Sequence, residues 1–446
     1  MIKKPKQNSF ITSALIAVLI FLAAGISAAG AELTLADCIS AALEHNPDLQ
    51  QMQHNAAAAH AAVDEARSAW WPRLALGGSY TRTDNPPQAF MMLLNQQALD
   101  MGSPAFDPNN PADTGNLRLS ASARWRLYDF GQRRNAAAAA SAGAGSADFM
   151  QRAVRNELVH EVTRAYNSVL QAMAMARVQE QSIKSLQESL RFANERLAAG
   201  AAVRADVLNI EVQLAQAQEE AIRIRNGIQL ALAALNNAIG HELATAQSIR
   251  PPEDFTVPQT APPALAPAMA ETRPELQAAR QMTAAARAGY RAAGAQRRPV
   301  INAFGSHDHD SDGALDDMHG SYIAGIAAEW EFFDGGQRRA ARERTREEWR
   351  AAQAAEASVY NRLLLDLRQA SLQAQDAHER LMVTAKTIES AEEALRIVRE
   401  QYRQGAADST RLLAAEAALC ATRMRHAAAY YDYQVALSNM RRVSGE

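Results

Sequence analysis

Tyr128–Arg134, with the sequence YDFGQRR, and Phe333–Arg339, with the sequence FDGGQRR, are two copies of one motif. Each residue of the first copy lies 205 residues before its counterpart, and the same offset relates Gly200 to Gly405. A match that keeps one offset over this length indicates that the chain is a tandem repeat.

A second offset holds closer to the start of the chain. NPDLQ at 46–50 matches RPELQ at 273–277, and Pro72 matches Pro299, with 227 residues between counterparts in both cases. The two offsets differ by 22 residues, so the first copy carries one long insertion between Pro72 and its YDFGQRR motif. Outside that insertion the two copies are in register.

Proline marks the boundary between the copies. The segment 250–274 contains seven prolines, which neither a helix nor a central strand tolerates. We therefore predict a first repeat at 32–249, a linker at 250–274 and a second repeat at 275–446. The rest of each repeat is rich in Ala, Gln, Arg and Glu, the composition of long helices.

The first 31 residues have the features of a secretory signal peptide. Lys3, Lys4 and Lys6 precede an apolar run from Ile11 to Ala24, and small residues follow it. A basic head, a short apolar body and a small-residue end are typical of a cleaved signal rather than of a spanning helix. We predict a signal peptide at 1–31.

The remaining chain contains no further apolar run of about 18 residues, the length that a spanning helix needs. If this protein enters a membrane, it must therefore do so as β-strands closed into a barrel. The formal net charge is −3, which favours no nucleic-acid partner.

Two very long helices are predicted, from Asn135 to Ala199 and from Gln337 to Gln404. At 1.5 Å per residue each is about 100 Å long. Apolar residues follow the 3,4 spacing of coiled-coil packing in both. In the first helix they are Ile183, Leu186, Leu190, Ala193 and Leu197. Taken alone, these helices also fit an ordinary long coiled coil.

The segments just before the two motifs alternate between apolar and polar residues. Leu117–Tyr128 and Tyr322–Phe333 each extend over about twelve residues, twice the usual length of a soluble strand. This pattern is typical of membrane-barrel strands with an apolar outer face and a polar lumen. The predicted lumen residues are Arg118, Arg124, Arg126, Glu329 and Glu331.

Two weaker strands precede these, which makes four strands per chain. Four strands cannot close a pore, and unpaired edges are not tolerated in lipid. We therefore expect several chains to share one barrel, and three chains with twelve strands are the smallest set that leaves a sizeable lumen.

The whole chain after the signal resembles the TolC-like outer-membrane efflux proteins. The resemblance rests on the start LTLADCISAALEHNPDLQ, the second RPELQ and both W-x-x-x-D-x-G-Q-R-R segments. It implies a mostly α fold with a tandem structural repeat, in which a trimeric 12-stranded transmembrane β-barrel continues into a long periplasmic α-helical barrel. It also implies an outer-membrane location in a Gram-negative bacterium, a homotrimer in lipid, and a periplasmic adaptor and inner-membrane pump as partners.

By the same resemblance, the turns at Gly200 and Gly405 form the periplasmic entrance and dock the adaptor. Asp206 and Tyr402 match residues whose polar links close the entrance in this family, whereas Ala407 replaces the family's arginine. Arg411 occupies the site equivalent to Asp206 in the second repeat, so a pair across the entrance is one expectation. The alternative is that both are solvated charges at helix ends.

His307, His309 and His319 lie in an acidic segment that we predict to be an outward-facing loop. Histidine and carboxylate are metal ligands, but Asp, Gly and Ser are also common in turns. We predict no metal site and no cofactor, and these histidines are only weak candidates.

The chain contains no nucleophile-elbow, zinc-protease or phosphate-loop motif, so we predict no enzyme. A periplasmic coiled-coil adaptor or scaffold is the alternative to a channel, but it leaves the alternating strands unexplained. Drug efflux, type I protein secretion and metal export share the channel architecture, and the sequence favours none of the three.

Overall fold

The structure is a computed structural model that describes residues 33–102, 107, 109–249, 260–315 and 317–445. The predicted signal peptide and the first part of the predicted linker lie outside these residues. None of the helices in the described part of the chain has an apolar stretch long enough to cross a membrane.

The first half of the chain runs from short helices through two strands to a long helical hairpin. Its elements are α1 (Leu35–His45), α2 (Pro47–Ser68), β1 (Arg73–Thr83), α3 (Pro86–Asn95), β2 (Thr114–Tyr128), α4 (Gln132–Ala198) and α5 (Arg204–Ile239). α4 confirms the first predicted long helix, Asn135 to Ala199, almost to its ends. Its apolar spacing is uninterrupted over this length.

The second half repeats this order without an insertion between its strands. A 3₁₀ turn at Pro267–Thr272 leads into α6 (Pro274–Ala295), β3 (Val300–Ser311), β4 (His319–Glu329), α7 (Gln337–Arg403) and α8 (Ser409–Ser444). The insertion predicted from the offsets includes α3, which has no counterpart between β3 and β4.

The four strands form one antiparallel sheet in the order β1-β2-β3-β4. Two predicted boundaries were wrong here. β3 continues to Ser311 and β4 begins at His319, so His307, His309 and His319 all belong to strands and not to a loop. β4 ends at Glu329, opposite the first residue of β3, so Glu331 lies beyond the paired part of the strand.

The repeated motif forms the corner between sheet and helix. The Asp129 carboxylate accepts hydrogen bonds from the backbone N–H of Gly131 and of Arg133, both at 3.1 Å, and from Arg133 Nε at 2.8 Å. Gly131 has φ +90°, a conformation that glycine adopts without steric cost. The aspartate therefore caps the new helix, and the glycine permits the sharp turn.

The second corner has the same geometry. Asp334 accepts from the N–H of Arg338 at 2.8 Å and from its Nε at 2.6 Å. The hydrogen bond from the Arg338 N–H, followed by that from its side chain, lowers the pKa of the Asp334 carboxyl. The conserved spacing of the motif in both halves thus has a structural reason.

The long helices pack side by side. α4 contacts α5, α6, α2 and α8, and α7 contacts α8 and α6. Near the turns between the long helices, two apolar clusters join each long helix to the helix that returns from it. One contains Ala193, Val207 and Ile210, and the other contains Leu395, Val398, Tyr402, Leu412 and Leu419.

Candidate functional site: the helical tips and the polar face of the sheet

The two long hairpins reverse direction at glycine. Gly200 has φ +76° and Gly405 has φ +77°, values that side-chain-bearing residues rarely adopt. Both predicted tip turns therefore form, and they lie at the ends of the long helices that are farthest from the sheet.

Arg196 joins the two tips, a role that the sequence did not reveal. Its Nη1 donates to the Tyr402 carbonyl oxygen at 2.7 Å and its Nη2 donates to the Ala201 carbonyl oxygen at 2.9 Å. Its guanidinium also lies 5.2 Å from the centre of the Tyr402 ring, a cation–π distance. One side chain of α4 thus satisfies carbonyls at the ends of both long helices.

Tyr402 is buried between the hairpins. Its ring makes an edge-on contact with Phe192 at 6.0 Å, and burial raises the pKa of its phenol. Its hydroxyl is buried and has no hydrogen-bond partner among the described residues. An unsatisfied buried hydroxyl is rare in native proteins.

The structure does not bring Asp206 and Arg411 of one chain together. Asp206 Oδ1 accepts a 2.6 Å hydrogen bond from the Ser409 hydroxyl, which links the start of α5 to the start of α8. The Arg411 backbone N–H donates to Asp408, the N-cap of α8. A direct link between Asp206 and Arg411 therefore stays a prediction about contact between chains.

A buried polar cluster lies above the tips. Glu416 of α8 is buried and accepts from Arg399 Nη2 of α7 at 2.7 Å and from the Ser185 hydroxyl of α4 at 2.8 Å. Arg399 also donates to Ser185. These three residues, named here the Glu416 cluster, connect the two hairpins. Because Glu416 is buried, its carboxylate would be costly without these partners.

One face of the sheet is polar. Arg118 Nε donates to the buried carboxylate of Asp310 on the neighbouring strand at 2.8 Å, and Asn116 Nδ2 donates to the same oxygen at 2.6 Å. The strand pairing places Arg124, Arg126 and Glu329 on this face with Arg118. Glu331 lies past the end of β4, with its carboxylate 3.8 Å from Arg338.

The three candidate histidines do not lie on one face of the sheet. His309 pairs with Leu119 and His307 with Ala121, so both lie on the apolar face, with ring centres 4.6 Å apart. His319 pairs with Asp310, which places it on the opposite, polar face. Among the described residues, no group of three or more His, Cys, Asp or Glu side chains could hold a metal ion.

The fold defines a class of proteins with a small sheet joined to long paired helices. Three solved structures share it. CusC has 20% identity and a TM-score of 0.81, covering 93% of this chain and 92% of its own. The outer membrane protein VceC from Vibrio cholerae has 19% identity and a TM-score of 0.78, with 92% and 96% covered. A membrane protein from Pseudomonas aeruginosa has 24% identity and a TM-score of 0.81, with 92% and 93% covered.

The sequence itself identifies the family. The model of the outer membrane efflux protein family matches residues 38–241 and 265–446. The chain therefore belongs to this family and is an outer-membrane protein, as the resemblance to TolC-like proteins predicted. A comparison with curated protein sequences found no match.

Proposed function

We propose that three copies of this chain form one exit duct, which carries solutes from the periplasm through the outer membrane. The observation that carries the proposal is the pair of open sheet edges. In the described part of the chain, β1 and β4 each have a single neighbouring strand. Open edges are not stable in lipid, and β1 of one copy can pair with β4 of the next until the sheet closes.

The exposed apolar face of the sheet supports a location in lipid. Leu76 is 89% exposed, and Tyr322 and Ile326 are also largely exposed. A soluble scaffold would not leave such a surface in water, so this observation disfavours the periplasmic adaptor alternative. The polar face would then line the lumen, with Arg118, Arg124, Arg126 and Glu329.

The helices also have unpartnered apolar faces. On α5 the exposed apolar residues are Leu208, Val212, Ile222 and Leu230, and on α7 they are Leu365, Leu372, Val383 and Ile397. These two helices lie at opposite edges of the helical layer of one chain. A ring of three copies would cover both edges and turn the layer into a tube below the barrel.

In this duct the tips form the periplasmic entrance. Asp206, Tyr402 and Arg411 would contribute to its closure, and Arg196 would hold the two tips of each chain together. A periplasmic adaptor would dock at the turns of Gly200 and Gly405 and connect the duct to an inner-membrane pump. Small molecules, metal ions and secreted proteins are all candidate cargo.

Detergent extraction tests the proposal directly. We expect the protein to leave the outer membrane only with detergent, to migrate as a trimer, and to conduct ions in planar bilayers. A monodisperse monomer that keeps its β-signal and conducts would contradict the shared barrel. Extraction without detergent would favour the scaffold.

The gate residues make a separate prediction. Asp206→Ala should raise single-channel conductance, because it removes the acceptor of a charge-assisted hydrogen bond at the tip. Ser409→Ala is the matched variant, since it removes only the bond within the chain. An equal rise in conductance in both variants would mean that the Ser409–Asp206 hydrogen bond within each chain keeps the entrance closed. A rise in Asp206→Ala alone would mean that a contact of Asp206 with another copy keeps it closed. No change in Asp206→Ala at low salt, where exposed charges act most strongly, would exclude Asp206 from the gate.

A further inference from the structure

An unusual backbone conformation marks the first of the two sheet–helix corners. Phe130 has φ +54°, a left-handed value that is an outlier for a bulky residue. The equivalent residue of the second corner is Gly335, with φ +63°, a conformation that glycine adopts without steric cost. Residues held in this strained region cluster at functional sites. The backbone here favours glycine, so the reason for a phenylalanine lies in the contacts of its ring.

The Phe130 ring lies between an aromatic and a cationic side chain. Tyr128 contacts it edge-on, with ring centres 4.7 Å apart. The guanidinium of Arg298 lies 5.5 Å from the ring centre, a cation–π distance. These three residues are named here the aromatic platform. The repeat does not require it, because Gly335 and Trp71 stand at the positions equivalent to Phe130 and Arg298.

A β-bulge places the platform on the apolar face of the sheet. The pairing of β2 with β3 shifts between Arg126 and Tyr128, so that Tyr128 lies opposite Ile301. Ile301 also pairs with Ala328, which is two residues from Ile326 and therefore on the apolar face. The bulge thus turns Tyr128 to the apolar face, where its side chain is 52% exposed.

The corners around the platform carry a surplus of positive charge. The segments 128–134, 296–299 and 330–339 contain six arginines and three carboxylates. Asp129 pairs with Arg133, and Asp334 and Glu331 both pair with Arg338, so every carboxylate already has a cationic partner. The remaining arginines are exposed and form no ion pair with another described residue; they are Arg134, Arg297, Arg298 and Arg339.

Two tryptophans at the same end of the sheet indicate the depth of the platform. Trp330 Nε1 donates to the Arg297 carbonyl oxygen at 3.2 Å, and Trp125 Nε1 donates to the Trp70 carbonyl oxygen at 2.9 Å. The indoles of Trp330 and Trp125 are 61% and 45% exposed. Tryptophan and tyrosine are enriched where hydrocarbon meets lipid headgroups. The platform therefore lies at headgroup depth, on the side of the membrane from which the long helices extend.

We propose that the aromatic platform binds the phosphate group of an anionic phospholipid in the periplasmic leaflet. A guanidinium can donate two parallel hydrogen bonds to a phosphate, so Arg298, with Arg297 beside it, would hold the headgroup. The rings of Tyr128 and Phe130 would contact the glycerol and the first carbons of the acyl chains. The unpaired arginines favour a lipid of net negative charge over a zwitterionic one. This inference rests on the proposed placement of the apolar face in lipid.

The platform stays accessible in a shared barrel. It lies over the pairing of β2 with β3, the two central strands of the sheet. Neighbouring copies would pair with β1 and β4, at the two edges. The assembled duct would therefore present one such site per chain to the surrounding lipid.

Native mass spectrometry of the detergent-extracted protein tests the site. The probes are phosphatidylglycerol and phosphatidylethanolamine with the same acyl chains, added in equal amounts. We expect one phosphatidylglycerol per chain to be retained in preference. Arg298→Gln should weaken its binding roughly tenfold, the scale of one charge-assisted hydrogen bond. Phe130→Gly should also weaken it without lowering the melting temperature in detergent alone, because glycine suits this backbone.

Arg225→Gln is the matched control, since Arg225 is exposed on α5, far along the chain from the corners, and the change in charge is the same. We expect this variant to bind as the unmodified protein does. Equal retention of the two lipids, an equal loss in Arg225→Gln, or full displacement of the lipid by inorganic phosphate would overturn the proposed lipid site. A conducting trimer in any of these cases would leave the duct intact, whereas absence of a trimer would overturn the proposed function itself.

Discussion

Replacing Arg133 with methionine is expected to lower the free energy of unfolding by about 3–5 kcal/mol, the usual cost of removing one partner of a buried ion pair. The side chains of Arg133 and Asp129 are only 7% and 4% exposed. Arg133 also donates to the carbonyl oxygens of Ala69 and Leu127 and stacks on Trp70 at 4.5 Å. The substitution removes the cationic partner of the buried Asp129 carboxylate, which keeps only the two backbone N–H donors at positions 131 and 133. It also removes the side-chain donor to two carbonyl oxygens.

The second corner supplies the control for this prediction. Arg338→Met removes the equivalent partner of Asp334, but there the side chains are 16% and 13% exposed, so water can replace part of the lost interaction. Denaturant unfolding of the detergent-extracted protein should therefore show a smaller loss for Arg338→Met than for Arg133→Met. Equal losses would mean that the difference in burial between the two corners has no energetic consequence.

Replacing Leu76 with arginine is expected to prevent assembly of the duct in the outer membrane. Leu76 pairs with Ala121, the central residue of β2, and its side chain lies on the exposed apolar face. An arginine on the lipid face near the bilayer midplane costs about 2–4 kcal/mol, and a closed trimer would incur this cost three times. The amount of trimer in the outer-membrane fraction is the measurement.

Ala75→Arg is the matched control, since Ala75 is the next residue on the strand and lies on the opposite face, where it pairs with Ser122. We expect this variant to assemble, because its guanidinium would face a polar lumen. Assembly of Leu76→Arg together with loss of Ala75→Arg would show that the two faces of the sheet are inverted.

The sequence by itself determined the tandem repeat, the long helices and the alternation of β2, because each of these is a periodic pattern along one continuous segment. It also predicted the family, since the order and duplication of the W-x-x-x-D-x-G-Q-R-R motif extend over the whole chain. It misplaced His307, His309 and His319 in a loop, because Asp, Gly and Ser in that segment favour a turn locally. The pairing of β3 with β2 and with β4 outweighs that preference.

Only the tertiary structure decided which side chains meet across the long helices. Arg196 reaches the carbonyl oxygen of Tyr402, and Glu416 meets both Ser185 and Arg399. No periodic pattern marks these residues, because their partners lie on helices far away in the sequence and the contact depends on how the helices are rotated and shifted against each other. The register of these packed helices is a property of the folded chain, and it places Arg196, rather than an arginine at position 407, between the two tips.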